Sequence, residues 1–261
     1  MIYNFKPPCL RRGFGKQAFT LPLYQSGEAR FIGKGVSRAI LIFSLIILSA
    51  SFSFSQEDKP AKLSSSFQIV RLKYAGGGDW YNDPLEEVNM MNYLKKNTTV
   101  DVVENPQFTS VDIASDDMFN YPFIYITGHG NISFSETEVK RMREYLERGG
   151  FLYADDDYGM DESFRREMKK VFPEQEMKEL PFDHPIYHSF YDFPKGLPKT
   201  HEHDGKPAQG FGYFINGRLC VYYTYETNIT DAWTNDHDDP PDKMDEAFRM
   251  GTNIIIYALN N

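Results

Sequence analysis

Short apolar runs alternate along this chain with longer stretches in which apolar residues recur every three or four positions. Phe67 to Tyr74 alternates apolar and polar side chains like a half-buried strand, and Gly76-Gly77-Gly78-Asp79-Trp80-Tyr81-Asn82 breaks it into a loop. Asp83 is placed to cap a helix with Pro84 at its first position and Glu86 in its first turn, its apolar face being Leu85, Val88, Met91 and Leu94. Thr99 to Val103 reads as a short second strand, and Pro122 to Thr127 as an apolar third one ending in Gly128-His129-Gly130. The strongest helix signal follows. Ser135 and Glu138 form a capping box, Phe134 and Val139 a hydrophobic staple, and Gly149 a stop, with Val139, Met142, Tyr145 and Leu146 on one face. Phe151 to Ala154 is a buried strand running into Asp155-Asp156-Asp157-Tyr158-Gly159, and a helix is predicted over 161–171.

Strands alternating with helices of this length predict an α/β fold with a doubly wound, mainly parallel sheet and right-handed crossovers. The pattern changes after Pro181. Gly210 to Ile215 and Arg218 to Tyr225 flank Asn216-Gly217, which predicts an antiparallel hairpin extension. A helix over 242–259, apolar at Met244, Ala247, Phe248, Met250, Ile254 and Ile255, closes the domain. No internal repeat is visible.

Upstream, Val36-Ser37-Arg38 precedes an apolar run from Ala39 to Ala50 and small residues at Ser53 and Ser55. This is the order of a signal peptide over 36–55: a basic start, an apolar centre and a small-x-small cleavage site. The run is shorter than the roughly 20 residues a membrane span needs. Residues 1–35 add a long basic stretch with no periodicity, which fits a start assigned too early, with Val36 as the alternative initiator, or simply a long n-region. Residues 56–66 are polar and breaker-rich, as in a linker, and 67–261 form one α/β domain. The expected location is therefore outside the cytoplasm, in the periplasm or cell envelope, with no integral membrane span in the mature chain.

Composition then narrows the partners. Seven of the 28 Lys and Arg but only one of the 37 Asp and Glu lie in residues 1–55, leaving 21 cationic against 36 anionic groups, a net charge of about −15. Such a surface repels phosphate backbones and anionic headgroups, so no nucleic acid partner is expected. A small-molecule or envelope partner that is neutral or cationic remains. Cys220 is the one cysteine beyond residue 55, so no disulfide forms within the mature chain.

Ligands of a doubly wound sheet sit beyond the carboxyl ends of the strands, which selects three loops. In the first, Gly76, Gly77 and Gly78 either let a ligand approach the backbone, with Asp79 and Trp80 beside it, or make a turn that only glycine allows. It is neither a Walker A loop nor a dinucleotide fingerprint. In the second, His129 lies between Gly128 and Gly130 as a functional group or a loop cap. In the third, Asp155, Asp156 and Asp157 cannot all be buried unpaired. They bind a cation or sugar hydroxyls, do acid–base work as Asp156 or Asp157 with His129, or cap a turn. His201 and His203, two apart, face one side if extended and form a possible two-ligand edge of a divalent metal site, needing a third ligand from elsewhere. No cofactor is otherwise implied. His184 to His188 reads as a structural turn, and Asp236-His237-Asp238-Asp239 as a solvated acidic loop.

Five stretches stand out together from Phe67 onward: Leu72-Lys-Tyr-Ala-Gly-Gly-Gly-Asp-Trp-Tyr81, Thr127-Gly-His-Gly-Asn131, Glu147-Arg-Gly-Gly-Phe-Leu-Tyr-Ala-Asp-Asp156, Asp183-His-Pro-Ile186 and His201-Glu-His-Asp-Gly205. In them the chain resembles domain of unknown function 4159, a group of exported or membrane-linked bacterial envelope proteins. It implies a flavodoxin-like fold similar to class I glutamine amidotransferase-like and trehalose-utilisation-like proteins, and no established activity. In amidotransferases the turn after the strand matching Phe151 to Ala154 carries a nucleophilic cysteine. Here that turn is Asp155 to Gly159, and Cys220 lies inside an apolar strand, so a thiolate acyl-enzyme is excluded there. Two functional expectations follow: a ligand-binding or scaffold module with a degenerate amidotransferase-like pocket, or a hydrolase-like enzyme acting on a carbohydrate or cell-wall fragment.

Overall fold

The computed structural model describes residues 66–261. The extension over 1–35, the signal peptide over 36–55 and the linker as far as residue 65 lie outside the described residues.

Seven strands form one sheet in the order β2-β1-β3-β4-β7-β6-β5. These are β1 Val70–Lys73, β2 Ser110–Asp112, β3 Phe123–Ile126, β4 Phe151–Asp155, β5 Lys178–Glu179, β6 Gln209–Ile215 and β7 Arg218–Tyr225. From β2 to β7 every neighbouring pair is parallel, whereas β6 and β5 join antiparallel. The architecture is the expected flavodoxin-like α/β sheet with a hairpin extension. Asn216 and Gly217 turn the hairpin at φ +51° and +82°, the left-handed pair that an Asn-Gly turn supplies. Both edges are short: β2 has three residues, β5 two, and the side chains of Lys178 and Glu179 are exposed.

Helices cover both faces, which is why β3 and β4 are buried throughout. On one face α2 Glu136–Glu147 and α3 Asp161–Val171 pack Met142, Leu146, Phe164 and Met168 on Leu72, Ile124, Ile126 and Leu152. On the other, α1 Glu86–Asn97 and α4 Pro241–Asn260 pack Met90, Leu94, Met250 and Ile254 around Phe123, Tyr125 and Tyr153. The capping box forms as the sequence predicts, Ser135 accepting from the Glu138 N–H while Glu138 accepts from the Ser135 N–H. Among the described residues no helix is long and apolar enough to cross a membrane.

Two expectations are corrected. The second strand is not Thr99 to Val103, where Val102 makes a single bridge to Phe67. The position beside β1 belongs to Ser110–Asp112, paired with Arg71 to Lys73. The first helix begins at Glu86 with no side-chain cap, and Asp83 instead turns at φ +39°. Its inward face is Glu86, Glu87, Met90, Met91 and Leu94, while Leu85 is exposed. The cause is Arg71 on β1, which is wholly buried and pulls both glutamates inward as ion-pair partners, at 2.9 Å for Glu86.

Candidate functional site

The strand order reverses between β1 and β3, and the helices that follow them, α1 and α2, leave to opposite faces. A crevice therefore opens beyond their carboxyl ends. The loops after these two strands are laced together: the Gly78 N–H donates to Asn131 O at 3.1 Å, and the Ser133 N–H to Ala75 O at 2.7 Å. The glycines serve this contact. A Cβ on Gly78 would stand 2.6 Å from His129 O, and one on Gly128, at φ +129°, would stand 2.4 Å from the Tyr74 hydroxyl.

The lacing puts His129 between two carboxylates, its Nδ1 lying 3.2 Å from both Asp79 Oδ2 and Asp157 Oδ2. The backbone N–H of His129 donates to Asp79 Oδ1, which fixes the loop. Asp157 is oriented in turn by Asn82 Nδ2, and Asn82 by the Arg71 guanidinium, which donates to its carbonyl at 3.0 Å and its side-chain oxygen at 3.3 Å. Burial disfavours the Arg71 charge, but Glu87 and Glu86 hold its pKa above the ordinary value. Arg71 thus acts on the crevice from inside the core.

The three adjacent aspartates have three environments. Asp155 is fully buried and accepts from the Thr230 N–H at 2.7 Å and the Thr224 hydroxyl; burial raises it to about 7 against those two donors. Asp156 accepts from the Met160 N–H at 3.1 Å, tying down the entry to α3, and burial raises it to about 6. Only Asp157 faces the crevice. Burial and then the neighbouring Asp231 charge push it up to about 8.

The far wall comes from the loops after β4 and β7 and from the connection that leads into β6. The His201 N–H donates to Thr227 O at 2.8 Å, and buried Glu226 accepts from the Asp204 and Lys206 N–H groups, so the His201 to Gly205 segment is pinned to the end of β7. The resulting cleft of about 520 Å³ is lined by His129, Asp157, Asn228, Asp231, His237 and the Tyr158, Thr200 to His203 side. His201 lies between Asp239, at 2.8 Å, and Asp231, at 3.3 Å, and its pKa is raised to about 9, first by hydrogen bonding to Asp231. Asn228 Nδ2 donates to Asp157 Oδ1 at 2.7 Å and also to Asp231 Oδ2. Its amide orientation is therefore fixed, which leaves Asn228 Oδ1 buried with no partner among the described residues. Asp231 Oδ1, Thr200 Oγ1 and His203 Nδ1 share that condition.

A family model described as a domain of unknown function (DUF4159) matches residues 68–259. The chain belongs to that family. Comparison with curated proteins gives no match.

The match spans every residue of the DUF4159 cleft, from Asp79 to His237. Of the residues singled out from the sequence, His129, Asp157, His201 and His203 line it, with Asp79 behind His129. Gly76, Gly77, Gly78, Gly128 and Gly130 belong to the interlaced loops, Trp80 packs on the core, and Asp155 and Asp156 are engaged inside the fold. The acidic loop is exposed from Asp236 to Asp238, as expected, but Asp239 holds His201, and His237 reaches to 3.6 Å from Asp83 and 3.9 Å from Asp231. Among the described residues, the group of side chains close enough to share an ion is Asp83, Asp231 and His237, without His201 or His203. In the DUF4159 domain Asn228 sits in the loop Thr227 to Thr230 and Asp231 directly after it, in a stretch that carries no motif; only its place after a parallel strand marks it.

Proposed function

We propose that the domain is a ligand-binding module of the cell envelope whose cleft takes a small, uncharged, hydroxyl-rich molecule such as a sugar fragment. The observation that carries this reading is Asn228 Oδ1, a buried acceptor on a cleft-lining residue with no donor among the described residues. A buried polar atom left unmade costs about 1–3 kcal/mol, which a ligand hydroxyl would recover. Thr200 Oγ1 and His203 Nδ1 are buried without partners on the same cleft, and the exposed ring of Tyr158 offers a flat rim. The surrounding carboxylates disfavour an anionic ligand. Among the described residues no cysteine lines the cleft; Cys220 is buried in β7 with its thiol pushed up to about 12 by burial.

Calorimetric titration of the full chain with a panel of neutral cell-wall and storage-glycan fragments tests the reading. A binding fragment should lose at least tenfold in affinity, about 1.4 kcal/mol, on Asn228→Ala. Silence across the whole panel, or binding indifferent to that substitution, contradicts it. A hydrolytic reading is favoured by one contact, Asp157 Oδ2 to His129 Nδ1 at 3.2 Å around the cleft. Slow cleavage of a bound fragment that disappears in Asp157→Asn while binding persists would select the hydrolase.

A further inference from the structure

We propose that Asp83, Asp231 and His237 form a binding site for one divalent transition-metal ion on the wall of the cleft. One ligand atom from each lies within 4.8 Å of the others, with His237 Nε2 3.6 Å from Asp83 Oδ2 and 3.9 Å from Asp231 Oδ1. These separations are too long for hydrogen bonds. They are close to the ligand–ligand edges of about 3.4 Å that metal bonds of about 2.0–2.2 Å produce in a tetrahedral shell.

The decisive group is Asp231. Its side chain is only 6% exposed, its Oδ2 is held by Asn228 Nδ2 and His201 Nδ1, and its Oδ1 is buried with no hydrogen-bond partner among the described residues. One oxygen is thus anchored from behind while the other is presented toward His237. Outer groups orient metal-bound carboxylates in this way, by fixing the oxygen that does not bind. Asp83 arrives from the loop after β1, and Asp231 and His237 from the connection between β7 and α4, so an ion here would tie together two stretches of chain far apart in sequence.

One imidazole and two carboxylates suit zinc-like ions better than calcium or magnesium, whose sites are built from oxygen alone. Because Asp231 and His237 line the cleft, the remaining coordination positions open toward its interior. Metal binding requires no sugar, so its test is independent of the proposed ligand.

The full chain, stripped with a chelator, would be titrated calorimetrically with zinc, manganese and calcium separately. Saturable binding of one zinc or manganese per chain is expected, with at least a tenfold loss in His237→Gln and in Asp83→Asn. His188→Ala, a surface histidine paired with Asp192, controls for adventitious binding and should stay within about twofold. Asp83 and His237 keep 25% and 31% side-chain exposure, so both variants should fold, and unchanged thermal midpoints in chelator would show it. Cobalt substituted for zinc should show visible absorption that His237→Gln alters. Absence of stoichiometric zinc and manganese binding, or affinities unchanged in both variants, overturns the site. So does calcium binding that His237→Gln leaves intact.

Discussion

At the scale of single residues, three neighbouring aspartates illustrate how position along one turn sets chemistry. Asp155 points back into the sheet, Asp156 toward α3, and Asp157 into the cleft. Folding raises Asp155 from 3.8 to about 7, mainly through burial. A group that holds its proton more tightly when folded contributes stability that is fully present below its unfolded pKa and lost as pH rises through the folded one. Urea unfolding of the metal-free chain should therefore show stability declining between about pH 4 and 7, and Asp155→Asn should remove part of that slope. Stability that climbs across this window, or an unaltered slope in the variant, contradicts the assignment. Asp157 and His129 were legible in the sequence because each follows a recognisable strand. Arg71, Asn228 and Asp231 were not. A lone arginine in an apolar strand reads as a surface position until the two glutamates that neutralise it are found on the next helix, and Asn228 acquires meaning only from the carboxylates that trap its amide.

At the scale of elements, the loops after β1 and β3 work as one unit because glycine lets their backbones touch. Gly128→Ala would place a methyl group 2.4 Å from the Tyr74 hydroxyl at a φ of +129°. It should cost about 1–3 kcal/mol in urea unfolding and weaken any cleft ligand by withdrawing His129 from Asp79. A variant with wild-type stability and binding would show that the interlock is dispensable. Elements with complete local signals were read correctly: the Ser135–Glu138 box, the Asn216-Gly217 turn and α3. The failures were tertiary. α1 rotates its glutamates inward for Arg71, against its hydrophobic pattern, and Ser110–Asp112 takes the edge of the sheet in place of the more β-prone Thr99 to Val103 because it pairs in register with Arg71 to Lys73.

At the scale of the whole molecule, the family match covers the α/β domain, whereas destination rests on the upstream pattern of Arg38, the Ala39 to Ala50 run and Ser53-Phe54-Ser55. If that segment directs export, protein recovered from the envelope should begin at or near Gln56 by N-terminal sequencing; recovery of an intact 36–55 segment in the membrane counts against cleavage. The sheet margins carry a further consequence. At one end β2 offers three residues, with Asp112 in reach of Lys73 at 3.6 Å, and at the other β5 offers two, both charged. Unpaired strand margins invite a second chain to dock, and brevity with charge is what blunts that tendency. Neither margin is long enough to template a neighbour. Among the described residues, growth of the sheet by backbone pairing with a second copy is therefore disfavoured at both ends.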